Sequence, residues 1–127
     1  MTYSWQAYLF VALGGSLGAV LRFYLSNLSD SLFGKHFPFG TLAVNVIGAF
    51  FIAVVYGLIE RESLDPMPYR FLVGVGLLGA FTTFSTFSIE TLALLQNGLW
   101  MKAAMNVALN VFVCLFAAYI GMQLFKG

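Results

Sequence analysis

Apolar positions in this chain gather into four long runs rather than alternating with polar ones. Each run approaches or exceeds the roughly 20 residues that an α-helix needs to cross a bilayer. The first covers residues 7–25 (AYLFVALGGSLGAVLRFYL) and the second residues 40–59 (GTLAVNVIGAFFIAVVYGLI), the latter closed by Glu60, Arg61 and Glu62. A third runs from about residue 69 to 95, and a fourth, residues 103–125, carries no charge at all. The links between them are short: SNLSDSLFGKHFPF, ERESLDPMP and QNGLWMK. Asp65-Pro66 and Pro68 mark the second link as a turn, and no link is long enough for a separate domain. The pattern predicts an all-α membrane protein in which residues 1–127 form a single domain of four transmembrane helices.

Composition agrees. Hydrophobic residues make up 61% of the chain and charged residues only 9%, where soluble domains carry about 25% charged residues. A net charge of +1 with no basic cluster argues against nucleic acid as a partner. Cys114 is alone, so neither a disulfide framework nor a cysteine metal site is available. No Lys or Arg precedes Arg22 and no small-residue cleavage site follows the first run, so a removable signal peptide is not expected.

Small residues recur where membrane helices approach closely. Gly14 and Gly18 form GxxxG in the first span, and Gly74, Gly76 and Gly79 punctuate the third. GVGLLG (residues 74–79) also matches a dinucleotide-binding fingerprint. It lacks the strand–turn–helix setting and the downstream acid that such a site needs, so close packing is the reading adopted.

The charge tally bears on orientation. With the N-terminus inside, Arg61, Arg70 and Lys126 fall on one side and Arg22, Lys35 and Lys102 on the other. Three against three leaves the positive-inside rule nothing to act on. Either a weak bias of the first helix decides, or the chain inserts both ways and pairs antiparallel with itself.

Polar residues within the spans are the candidate chemistry. They are Thr41 and Asn45 in the second span, Thr82 to Ser88 with Glu90 in the third, and Asn106 and Asn110 in the fourth. Asn106, Asn110 and Cys114 repeat every four residues and share a helix face. Each residue alone could simply bond between helices, worth about 0.6 kcal/mol on average. A cation path calls for rings or pairs of acids. Here the spans offer neutral donors and a single acid, Glu90, which suits an anion or a neutral solute. Arg22, near one end of the first span, is either an interfacial anchor or an attractive charge at an entrance.

The segment TFSTFS (residues 83–88) repeats one tripeptide, so Phe84 and Phe87, Ser85 and Ser88, and Thr83 and Thr86 each pair on one helix face. Aromatic rings carry a positive edge that can contact an anion, although packing is their commoner use. Successive hydroxyls can also satisfy backbone groups freed where a membrane helix breaks, and such a break exposes carbonyls that hold a cation.

GLLGAFTTFSTFSIE (residues 76–90), GTLAVN (40–45) and GGSLGAVLR (14–22) resemble the signature segments of the Fluc (CrcB) fluoride channels, and the likeness extends over essentially the whole chain. The resemblance implies a fluoride-selective channel that exports cytoplasmic fluoride passively across the bacterial inner membrane. It implies an antiparallel, dual-topology homodimer with two pores, a third helix broken mid-membrane and a central structural sodium ion. Phe84 and Phe87 would be the pore-lining rings, and Asn45 would donate to fluoride near a vestibule flanked by Arg22 and Thr41. Gly79 and Thr82 would present carbonyls to sodium. Ser85, Thr86, Ser88, Glu90, Asn106 and Asn110 would line or support the ion path. Two positions depart from the family pattern: Ala80 stands where a second glycine is common, and Asn106 where a tyrosine often stands.

Other classes are less well matched. A proton-coupled small multidrug exporter, also four-span, would place an acid in its first span, which holds Arg22 instead. A membrane assembly subunit would leave every polar residue as packing. An enzyme fits least, because His36 lies in a loop, Glu90 lacks a catalytic partner, and no nucleophile–base spacing occurs.

Overall fold

The computed structural model describes residues 3–125, and four of its helical segments are long and apolar enough to cross a membrane: Trp5–Phe33, Phe39–Glu60, Pro66–Gln96 and Trp100–Gln123. Lys126, counted in the charge tally, lies outside the described residues.

The first span is longer than its apolar run, because the helix continues through Ser26 to Asp30. At about 1.5 Å per residue its 29 residues reach about 44 Å, beyond the ~30 Å hydrocarbon core. Its polar end therefore emerges from the apolar layer while still helical. Gly34 stops it, with φ of 79° and its N–H bonded to the Asp30 carbonyl. The second and fourth spans begin and end within a few residues of their hydrophobic runs, and QNGLWMK collapses to a turn in which Gly98 takes φ of 74°.

Third-span residues Arg70–Leu78 are wound as a π-helix, followed by a short α-helical stretch, Gly79–Phe81. Thr82 and Thr83 then leave helical geometry, at φ −82°, ψ 159° and φ −150°, ψ 118°, before Phe84–Gln96 resumes as α-helix. A second π-wound stretch, Leu109–Val113, lies in the fourth span.

Helix contact follows the small residues. A methyl group on Gly14 or Gly18 would overlap the carbonyl of Leu72 or Leu77, so the first span crosses the third backbone against backbone. GVGLLG is thus a packing surface: in lipid, where hydrophobicity gives no preference for helix over tail, close van der Waals approach holds helices together.

The buried positions are mostly apolar, Val44, Leu78 and Phe81 among them, but they include the polar Thr41, Asn106 and Asn110, while large apolar side chains such as Leu17, Phe23 and Phe116 point outward. That is the expected distribution when the surrounding medium is hydrocarbon.

Candidate functional site

The interruption at Thr82–Thr83 is repaired by side chains. Thr83 caps the helix that follows: its Oγ1 accepts from the Thr86 N–H at 3.2 Å and lies 3.0 Å from Thr86 Oγ1. Asn45, across from it in the second span, grips the Thr83 backbone at both ends. Its Oδ1 accepts from the Thr83 N–H at 2.8 Å, and its Nδ2 donates to the Thr83 carbonyl at 3.2 Å. Thr82 Oγ1 returns to the Leu78 and Gly79 carbonyls at 3.3 and 3.4 Å. Ser88 Oγ donates to the Phe84 carbonyl and Thr91 Oγ1 to the Phe87 carbonyl, at 2.9 and 2.8 Å. Backbone repair, one of the two uses foreseen for the hydroxyls, is what Thr82 and Thr83 do at the interruption, while Ser88 and Thr91 bond back onto carbonyls of the helix that follows.

These bonds decide which carbonyls lose their helical donor, Gly79 O keeping only the 3.4 Å contact from Thr82 Oγ1. In an unbroken helix Gly79 O would accept from Thr83 N–H and Thr82 O from Thr86 N–H. Both donors point elsewhere, to Asn45 and to Thr83 Oγ1. The Ala80 carbonyl, by contrast, is taken by Arg22, whose Nε donates at 3.1 Å. Arg22 thus serves as a cation at the C-terminal end of the first half of the span, where the helix dipole favours positive charge.

From Asn45 a line of amides runs into the fourth span. Asn45 Nδ2 donates to Asn110 Oδ1 at 2.8 Å, and Asn110 Nδ2 to Asn106 Oδ1 at 3.0 Å and to the Asn106 carbonyl at 2.9 Å. Asn106 Nδ2 donates to Thr91 Oγ1 at 2.9 Å, and Thr91 Oγ1 donates in turn to the Phe87 carbonyl. The direction is dictated by the backbone. Thr83 N–H can only donate, so Asn45 must present its oxygen there; the Asn106 carbonyl can only accept, so Asn110 must present its nitrogen. Every amide in the line donates the same way. Asn106 and Asn110 are buried and bonded to each other, and Asn110 shares a cavity wall with Cys114.

A cavity of about 320 Å³ lies where these parts meet. Asn45, Asn110 and Cys114 line it with Thr82, Thr83, Phe84 and Phe87. The two rings stand 5.4 Å apart at 56°. Phe87 is buried at 8% exposure, whereas Phe84 is 78% exposed and turned away from its own chain. Gly48 opens the wall, since a Cβ there would run into the Thr82 methyl group.

Glu90 and Thr41 belong to a second place. Thr41, 3% exposed, faces the Glu90 carboxylate, and Glu90 Oε1 is buried without a hydrogen-bond partner among the described residues. Glu90 lines a cavity of about 530 Å³ with Asp30, Lys35, His36 and Lys102. Ser85 and Ser88 are exposed and Thr86 is half-buried. Thr91 is the residue that sequence reasoning did not single out, and Thr83 stands there only as one of a hydroxyl run and not as a cap. A hydroxyl residue directly before a helix restart is a capping signal and points to Thr83; no local pattern marks Thr91.

The profile of a family described as CrcB-like protein, Camphor Resistance (CrcB), matches residues 9–122. This chain belongs to the CrcB family. Among CrcB relatives it is similar to a protein of Alteromonas mediterranea named fluoride-specific ion channel FluC, 62% identical over 120 residues and 94% of each chain. The protein of that name from Shewanella denitrificans is 59% identical over 116 residues, 91% of this chain and 93% of the relative. Another from Shewanella loihica is 58% identical over the same length. These relatives are named as channels, a non-enzymatic activity. With four helices able to span a membrane, this CrcB chain is a multi-pass membrane protein.

Proposed function

We propose that this chain is a fluoride-selective channel that releases cytoplasmic fluoride passively across the bacterial inner membrane. The observation that carries the reading is the cavity at the helix interruption, lined by two phenylalanine rings and the neutral polar residues Asn45, Asn110, Thr82 and Thr83, with no acid. Fluoride is small and accepts hydrogen bonds avidly, so in this reading the amide N–H groups of Asn45 and Asn110 turn from their present acceptors toward the ion and replace its water. Chloride, larger and a weaker acceptor, gains less from them. The names of the relatives at 58–62% identity support the same ion.

In this reading the functional unit is an antiparallel, dual-topology homodimer with two pores, and the third helix is broken mid-membrane at Thr82–Thr83. Phe84, exposed on its own chain, would line the path beside a second copy, while Phe87, Asn45 and Asn110 form the wall. Asn106, Thr86, Ser85 and Ser88 support that wall, Thr41 and Glu90 lie toward one end, and Arg22, expected at a vestibule, instead braces the Ala80 carbonyl beside the interruption. Gly79 and Thr82, whose carbonyls lack helical donors, suit a hard cation such as sodium. Two oxygens are too few for one ion, so a second copy would complete the set. When bound, sodium would supply positive charge that fixes the interruption; it would not cross with fluoride.

The deciding measurement is fluoride efflux from liposomes of purified protein, run beside chloride. Equal fluxes of the two ions would overturn selectivity, and absence of fluoride flux would overturn the function. Exhaustive replacement of sodium by a large organic cation should lower flux. Unchanged flux would remove sodium from the scheme.

A further inference from the structure

Far from the helix interruption, where the second span ends and the third begins, two cavities share Tyr56 and Arg70. One, about 240 Å³, is a groove between the first and third spans, walled by Tyr8, Val11, Phe71 and Val75. The other, about 210 Å³, adds Glu60 to the same tyrosine and arginine. Glu60 and Arg70 therefore face one space, yet among the described residues they form no ion pair and neither side chain has a hydrogen-bond partner. The guanidinium instead lies over the Tyr56 ring, with Cζ 5.9 Å from its centroid. Tyr56 is held in place by packing on Gly74, where a Cβ would come within 3.2 Å of the ring.

Each part of this arrangement matches a part of one molecule. Glu60 closes its helix and Arg70 lies near the start of the next span, so both sit at head-group depth, where tyrosines also gather. A guanidinium grips phosphate through two parallel N–H donors. A carboxylate beside it would repel a purely anionic head group but would accept from an ammonium. Val11 and Val75, further along their helices and in the same groove, offer an apolar track for an acyl chain. We propose that this groove binds a phospholipid with an aminoethyl head group, its phosphate on Arg70, its ammonium on Glu60 and one acyl chain between Val11 and Val75. The site depends on the chain spanning a bilayer and not on which ion it conducts.

Native mass spectrometry of the purified, full-length protein tests this, with phosphatidylethanolamine and phosphatidylglycerol of identical acyl chains added separately. Wild type should retain phosphatidylethanolamine about tenfold better, the scale of one charge-assisted hydrogen bond. Arg70→Gln should lose retention of both lipids. Glu60→Gln should keep phosphatidylglycerol and lose the preference. Val75→Trp, which leaves both charges in place but fills the groove, should lower retention of both, and it covers the case in which a charge variant does not fold. Unaltered retention in folded Arg70→Gln, or an unaltered preference in Glu60→Gln, would overturn the assignment. So would soluble glycerophosphoethanolamine competing as well as the lipid, since the groove would then have no part. Conversion of the protein to monomers by Val75→Trp, with retention unchanged, would make the groove a contact between copies and likewise overturn it.

Discussion

Phe84 and Phe87 share a motif and a cavity but not an environment, one exposed and the other buried. If the rings act by volume alone, apolar swaps of similar size should cost under about 1.5 kcal/mol and spare much of the flux. If their positive edges meet the ion, Phe84→Ile and Phe87→Ile should each nearly abolish fluoride efflux while the protein purifies in its native oligomeric state. Near-normal efflux from both variants would reduce TFSTFS to packing. Asn45→Asp is a harsher probe, because it replaces two donors by acceptors facing the Thr83 carbonyl and Asn110 Oδ1. Fluoride efflux through it should fall sharply, and wild-type efflux would exclude Asn45 from the path. At this scale the residue types were legible in sequence, since in-span amides and hydroxyls stand out against hydrocarbon. Their bonds were not: nothing in the spacing of Arg22 and Ala80, 58 positions apart, announces a hydrogen bond.

Among the elements, the four spans were legible because their apolar length carries the signal, and the overrun of the first span was not because its polar end is as helix-competent as a loop. The restart at Phe84 rests on Thr83 as its cap. Thr83→Ala should destabilise the protein by about 1 kcal/mol, seen as a lower melting temperature in detergent, whereas Thr83→Ser should keep the wild-type value. Equal melting temperatures for all three proteins would show that the Asn45 grip alone secures the restart. The glycine and threonine pattern pointed to Gly79–Thr82 as the place where helix geometry would be left, and the non-helical residues are Thr82 and Thr83, whose peptide groups are taken up by Asn45 in another span.

For the whole molecule, the tied Lys and Arg tally leads to an expectation that two-sided labelling can test. In a Cys114→Ala background, Lys126→Cys should react with an impermeant thiol reagent from both faces of the membrane. Reaction from one face only would exclude dual insertion. Two or three lysines added to one loop should force a single orientation and silence the protein unless an oppositely biased copy is co-expressed. Sequence reached this scale only through charge counting and family likeness, since a surface such as the exposed Phe84 is visible only in the fold. The one-way line of amides from Thr83 to Phe87 has a further consequence here. Such a line is an electrical polarisation with a fixed sense, and a single copy would favour current in one direction. Two copies inserted head to tail would carry opposite senses and cancel. Current at matched fluoride concentrations should then be equal in size at positive and negative voltage, with rectification appearing only if one of the two pores is blocked.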